Sequence, residues 1–280
     1  MRTTLAVIAS LLVCVGAGVT QSAESGPSLQ PTNRNPNVAT VIGKALHFLK
    51  ETQNRDGSWS KGPESCSATA LALSALLRIG ETKTSVNFGK TITLARDWLL
   101  AAHPESLNDR MAIAVALSDY NTLHAEISVA QRVTAILQKI DEPGTNIWAD
   151  ILCTTRLPDE SQRPKWCLTP KQVQQKYVVS AANTPPETKA DYLKTYVVGR
   201  AKFRADSKTA AAHYHYLTNE VLSRQQVDGS FPVSASEDKV AATALVLLSL
   251  ADLHHGSNQF CPPPPPRQEE SGDAEVKVTL

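Results

Sequence analysis

Aromatic side chains are scarce in this 280-residue chain, at 5% of positions against 42% hydrophobic overall. Alanine is abundant instead, a balance that suits closely packed helices better than a β-sandwich. Neither charge is in excess: 28 Lys and Arg face 27 Asp and Glu, which excludes a strong electrostatic case for nucleic acid or an anionic membrane surface. Beyond Val19 no stretch approaches the roughly 20 apolar residues of a membrane span, so no transmembrane span is expected in the mature chain. Several catalytic signatures are missing as well. There is no Gly-x-Ser-x-Gly, no phosphate-binding loop and no His-Glu-x-x-His. No cofactor is expected from these patterns, and no metal.

What is present begins with an address. Arg2 precedes an apolar stretch from Leu5 to Val19, with small residues at Ala17, Ser22 and Ala23, so residues 1–23 read as a cleavable secretory signal. The mature protein is therefore expected to be exported. Cys14 would suit a lipoprotein signal, but Val13 stands where a small residue belongs. Residues 24–36 are rich in Ser, Pro, Asn and Gly and read as a linker, residues 37–260 as one domain, and residues 261–280 as a Pro-rich disordered tail.

Four cysteines survive processing: Cys66, Cys153, Cys167 and Cys261. Export permits disulfides, and Cys153 and Cys167 flank a polar segment containing Pro158 and Pro164. A Cys153–Cys167 bridge is the expectation; two free buried thiols are the alternative. Cys66, in an apolar run, reads as core.

Across 37–260 two kinds of helical pattern alternate. Val38, Val41, Ile42, Ala45 and Leu49 make one apolar face, as do Phe88, Ile92, Ala95, Leu99 and Ala102, and again Ile127, Ala130, Val133, Leu137 and Ile140. Cys66 to Ile79 and Met111 to Leu117 are apolar nearly all round, as helices buried on every side would be. Ser106 or Asn108 is available to cap the second of these. A short helix at Ile147 to Leu152 and one opened by Thr169-Pro170 follow, with further helices at about 187–204, 208–226 and 236–254. The count is about ten, in five pairs, and the class is all-α.

One unit occurs twice. Gln53-Asn54-Arg55-Asp56-Gly57-Ser58-Trp59 precedes an apolar helix, and Gln225-Gln226-Val227-Asp228-Gly229-Ser230-Phe231 precedes another. The helices that follow also match, Ala68-Thr69-Ala70-Leu71 against Ala242-Thr243-Ala244-Leu245, which points to an internal repeat. Asp56-Gly57 supplies a turn that tolerates positive φ, Gln53 can satisfy carbonyls and amides left open at a helix end, and Trp59 adds a buried plate with one N–H. A structural role is the reading for Gln53, Asp56, Gly57, Trp59, Gln225, Asp228, Gly229 and Phe231.

Together with Lys44-Ala45 and Phe48-Leu49, the first copy resembles the QW repeat of squalene and oxidosqualene cyclases, a fold shared with protein prenyltransferase β-subunits. The second copy has Phe231 for Trp and lacks the upstream Lys-Ala. The resemblance implies an α/α toroid of inner and outer helices. Five pairs against the family's six imply a partial or open ring. It implies, too, repeats that brace neighbouring helices away from the reacting centre.

The resemblance is weaker for activity. The Asp-x-Asp-Asp acid of the family's class II cyclases is absent, and Asp159-Glu160 and Glu237-Asp238 have other spacings. Ser234 and Glu237 fit a capping box. Prenyltransferases bind zinc through Asp, Cys and His; Glu64 and Cys66 open an inner helix here, but no matching His opens a later one. The Gly-Cys-Gly-Glu-Gln thioester of complement-type toroids is missing too. His213 and His215 are two apart on a helix and cannot share a face; His254-His255 stands at a helix end. Tyr192, Tyr196, Tyr214 and Tyr216 could line a groove. The expectation is a non-catalytic binding or scaffold module, with a hydrophobic or polymeric ligand or a protein as partner. The alternative is an enzyme on the same toroid, either a terpenoid cyclase-like isomerase or a polysaccharide lyase, with Arg110 or Arg200 neutralising a uronate. Remaining acids at inner-helix starts, Glu64, Asp109, Glu237 and Asp238, would then carry the chemistry.

Overall fold

The structure, a computed structural model, describes residues 38–62, 65–141, 143–179, 185–234 and 238–255. The expected signal (1–23), linker (24–36) and tail (261–280) lie outside the described residues, as do Glu64, Glu237 and the side chains of His254 and His255. All regular structure among the described residues is helical. Ten helices follow in order: α1 (Val38–Thr52), α2 (Ser65–Arg78), α3 (Gly89–Ala101), α4 (Leu107–His124), α5 (Ile127–Leu137), α6 (Ile147–Cys153), α7 (Pro170–Val178), α8 (Lys189–Phe203), α9 (Ser207–Tyr216) and α10 (Lys239–His255).

Local chemistry sets the boundaries. Ser106 caps α4 by accepting from the Asp109 N–H, Asn146 caps α6, and Thr169 forms a capping box with Gln172 ahead of Pro170. Thr188 and Asp191 form a second box at the start of α8. The helix expected to run unbroken over 208–226 changes its winding: one π turn (Leu217–Val221) and one 3₁₀ turn (Leu222–Arg224) follow α9. Leu217, Val221 and Leu222 stay buried through this change of winding.

The alternation read from the sequence is present in the burial pattern. In α2 every residue from Ser67 to Leu77 is buried, and in α4 every residue from Met111 to Ser118. In α1, α3 and α5 burial is confined to one face. The even-numbered helices pack on one another in sequence, α2 on α4, α4 on α6, α6 on α8, α8 on α10, and α10 back on α2. Odd-numbered helices lie against them: α1 on α10, α3 on α2 and α4, α5 on α4, α7 on α8, and α9 on α8. Most of the buried apolar side chains form one continuous core.

The two copies of the repeated turn share a set of hydrogen bonds. Gln53 Nε2 donates to the Gly57 carbonyl (3.0 Å) and to the Thr91 carbonyl in α3 (2.9 Å). Gln225 Nε2 donates to the Gly229 carbonyl (3.0 Å) and to the Val41 carbonyl in α1 (2.9 Å). Asp56 Oδ1 accepts from the Ser58 amide and hydroxyl, as Asp228 Oδ1 does from those of Ser230. These bonds hold both carboxyls below the usual carboxylate range. Gly57 and Gly229 have φ of 95° and 90°. A β-carbon on Gly57 would collide with the Leu94 carbonyl, and one on Gly229 with the Lys44 carbonyl, so only glycine fits. Trp59 and Phe231 are both fully buried, and their amides donate to Thr69 Oγ1 and Thr243 Oγ1. Each turn thus clamps a helix buried on one face, α3 for the first turn and α1, far back in the chain, for the second.

The expected Cys153–Cys167 bridge is not formed. Cys66, Cys153 and Cys167 are free thiols. Cys153 ends α6, and the loop leading to Cys167 folds back over that end because Arg163 reaches the carbonyls α6 leaves open, at Cys153 (2.8 Å) and Thr155 (2.8 Å). The two thiols interact: contact with Cys153 and the nearby Arg163 guanidinium hold Cys167 below the ordinary thiol range, against the opposing effect of burial. The same contact, with burial, pushes Cys153 up.

Candidate functional site

Polar residues interrupt the apolar inner helices near their C-terminal ends, where cations complement the helix dipole. Arg78 ends α2 and faces Asp119 of α4 in a two-pronged pair, Nε to Oδ2 at 2.9 Å and Nη2 to Oδ1 at 3.0 Å. Its Nη1 donates to the Tyr196 hydroxyl of α8 (3.1 Å) and lies 3.6 Å from Asp252 of α10. Arg200, one turn beyond Tyr196, donates to the same hydroxyl (3.4 Å) and to the Thr154 carbonyl at the end of α6 (3.2 Å). The Arg200 Nε lies 3.4 Å from Asp252 Oδ2. Two arginines, two aspartates and a tyrosine from α2, α4, α8 and α10 therefore form one network, joined by the Thr154 carbonyl at the end of α6.

Arg200 is 7% exposed and Tyr196 2%, so the network is largely withdrawn from water. Burial works against the Arg78 charge, but Asp119, the Tyr196 phenol and Asp252 outweigh it and raise its pKa further. Burial likewise pushes the Tyr196 phenol up, opposed by Arg200 and Arg78. Beneath the network lies a cavity among Ala70, Ser74, Val115, Trp148, Ile151 and Leu248, of about 10 Å³. That is room for about one water molecule.

A shallow groove opens beside it between α6, α7 and α8, about 20 Å³ in volume. Its polar lining comprises Asp150, Thr154, Gln174, Arg200 and Arg204. Asp150 is 4% exposed, and its Oδ2 accepts from Lys176 Nζ and from the Tyr177 hydroxyl, each at 2.6 Å.

Family models, curated proteins and solved structures were compared with the chain. None of them matches it. The site therefore has to be read from its own chemistry.

Most residues singled out from the sequence are engaged in holding the fold. Asp109 accepts from Ser106 Oγ at the start of α4, Asp159 caps the short turn at Glu160–Gln162, and Asp238 accepts from the Val240 amide at the start of α10. Glu160 pairs with Arg163. Arg110 donates to the carbonyls of Pro104, Glu105 and Lys139, so it does not face the central network; Arg200 does. His213 is 2% exposed, wedged between Gly199, Phe203 and Tyr216, and burial lowers its pKa to about 4, leaving it neutral. His215 is exposed on another face of α9. The four tyrosines do not share a groove: Tyr192 donates to the Pro232 carbonyl (2.8 Å), Tyr196 sits in the central network, Tyr214 meets His215 edge-on, and Tyr216 packs on His213. Burial and the charge of Asp109 push the Cys66 thiol up to about 11, which disfavours the thiolate a zinc ion needs. Among the described residues no group of three His, Cys, Asp or Glu could hold a metal ion.

One cluster went unnoticed in the sequence. At the α4–α5 corner Glu126 accepts from Lys83 Nζ (2.8 Å), from the Tyr120 hydroxyl (2.8 Å) and from Arg96. Burial opposes its ionisation, yet these donors prevail and bring its pKa down to about 2. Tyr120 is fully buried beside it. The residues come from three separate segments, and no spacing connects them.

Proposed function

We propose that this chain is an exported α/α-toroid protein of the QW-repeat kind, with five helix pairs, that works as a non-catalytic binding or scaffold module. Three observations support the ring. The inner helices touch in a cycle, the outer helices lie against them, and Gln225 clamps the last unit onto α1 as Gln53 clamps the first unit onto α3. Export rests on the leader-like pattern of residues 1–23.

The observation that carries the binding role is the closed centre. A cyclase needs a deep chamber tipped by a proton-bearing carboxylic acid and lined by aromatic rings. Here the carboxylates at the centre are paired with guanidiniums, and the space beneath them admits about one water molecule. Substrate-sized chemistry has no room there, so a partner meets the rims or the outer faces. Incubating the purified exported protein with squalene and with prenyl diphosphates, followed by mass spectrometry, should return the substrates unchanged. Product formation that is lost in Asp119→Asn or Asp252→Asn would overturn the non-catalytic reading and make the central network an active site.

A further inference from the structure

The charges around the centre do not balance. Arg78 is matched by Asp119, and Arg200 by Asp252, while Arg204 makes no hydrogen bond or close ion pair among the described residues. No ion pair joins Asp150 to it; the Asp150 charge is matched by Lys176 instead. Arg204 follows Arg200 by one helical turn on the same side of α8, and both line the α6–α7–α8 groove. Although the side chain keeps contact with water, the groove wall and repulsion from Arg200 and Arg78 disfavour the Arg204 charge, and the attraction of Asp252 opposes them only in part. The C-terminal dipole of α8 offsets the repulsion only in part. Arg200 forms the groove floor: it is over nine-tenths buried, and its Nε makes no hydrogen bond although Asp252 lies beside it. Gln174, half-buried on the opposite wall, likewise has no partner among the described residues.

We propose that this groove binds the carboxylate of an external ligand, with Arg204 as the principal charge partner, Arg200 beneath it and the Gln174 amide as a neutral donor. One unmatched guanidinium calls for one negative charge, which favours a carboxylate over a doubly charged phosphate. The planar fork of arginine also matches the two oxygens of a carboxylate. The groove, at about 20 Å³, takes the carboxylate head, and the rest of the ligand remains outside. The inference rests on the reading of the chain as a binding module and gives that module a ligand chemistry.

Titrating the purified exported protein with glucuronate, acetate and inorganic phosphate at constant ionic strength, read by calorimetry and by melting temperature, tests it. Saturable binding of glucuronate and acetate is expected, with affinity about tenfold or more weaker in Arg204→Gln, the loss of one charged hydrogen-bonding partner. Arg55→Gln, on an exposed turn elsewhere, should leave it unchanged. Equal affinity for the two carboxylates would assign the recognition to the head group; tighter glucuronate binding would add contacts to the sugar ring. No saturable response, an Arg204→Gln protein that binds as before, or a preference for phosphate would overturn the proposal. Because Arg204 is exposed, the variant should melt as the wild type does when ligand is absent. Conversion of glucuronate to a product would leave the site standing but refute the non-catalytic reading.

Discussion

Replacing Trp59 probes the brace most sharply, because the structure separates its two contributions. The side chain is fully buried, and its Nε1 donates to the Leu49 carbonyl at 2.6 Å. Truncation to alanine removes the plate and leaves a cavity, a change that costs about 3–5 kcal/mol. It also removes the stronger of two donors to the Leu49 carbonyl, leaving the Thr52 hydroxyl at 3.3 Å, a further loss of about 1 kcal/mol. Trp59→Phe keeps most of the plate and removes only the N–H, so it should cost about 1 kcal/mol. The second copy carries phenylalanine at this place, and Phe231→Ala should fall in the cavity range alone, about 3–5 kcal/mol. Urea unfolding followed by far-ultraviolet circular dichroism gives these differences. Against a typical domain stability of about 5–15 kcal/mol, Trp59→Ala should remove roughly a third or more of the total and shift the urea midpoint accordingly. Equal losses for Trp59→Phe and Trp59→Ala would refute the separation, and a loss under about 0.5 kcal/mol for Trp59→Ala would refute burial of the residue altogether.

Other perturbations test other parts of the account. Gly57→Ala and Gly229→Ala place a β-carbon against a backbone carbonyl at positive φ, and each should destabilise by more than about 1 kcal/mol, measured by the same unfolding assay. Arg78→Met leaves Asp119 and Asp252 facing each other with less neutralisation, and should cost about 3–5 kcal/mol; a neutral outcome would show that the central network is solvated. Glu126, depressed from 4.5 to about 2, contributes stability that is present above 4.5 and lost as pH falls towards 2; Glu126→Gln should remove that part of the acid-side slope. Oxidised glutathione should join Cys153 to Cys167: the Cys167 thiolate attacks its disulfide and releases one glutathione, the Cys153 thiol then displaces the second, and closing that loop should add about 3 kcal/mol. Non-reducing peptide mapping of exported protein decides it, and two alkylatable thiols would refute it.

The helices and their alternation were legible because burial on one face or on all faces leaves a period in the sequence. The paired turns were legible too, since positive φ demands glycine and Asp56 and Asp228 each sit two residues before the serine they bind. What those turns hold was not. Gln53 and Gln225 reach the carbonyls of Thr91 and Val41, and a backbone carbonyl leaves no mark on residue identity. The central network was overlooked for a related reason: Arg78, Asp119, Arg200 and Asp252 are single charges scattered over four helices. A signal existed, in that each stands near the end of a helix otherwise buried nearly all round, where an unpaired charge would be costly. The Cys153–Cys167 expectation found the right neighbours but missed Arg163, whose bonds to the end of α6 position the loop without a covalent link.

The most direct measurement is a crystal structure of the protein, read at the centre where α2, α4, α8 and α10 meet. The account predicts Arg78 paired with Asp119, Arg200 beside Asp252, Gln225 within hydrogen-bonding distance of the Val41 carbonyl, and space for no more than about one water molecule between Ser74 and Trp148. An open chamber at that place, holding a ligand or a column of water, would contradict it.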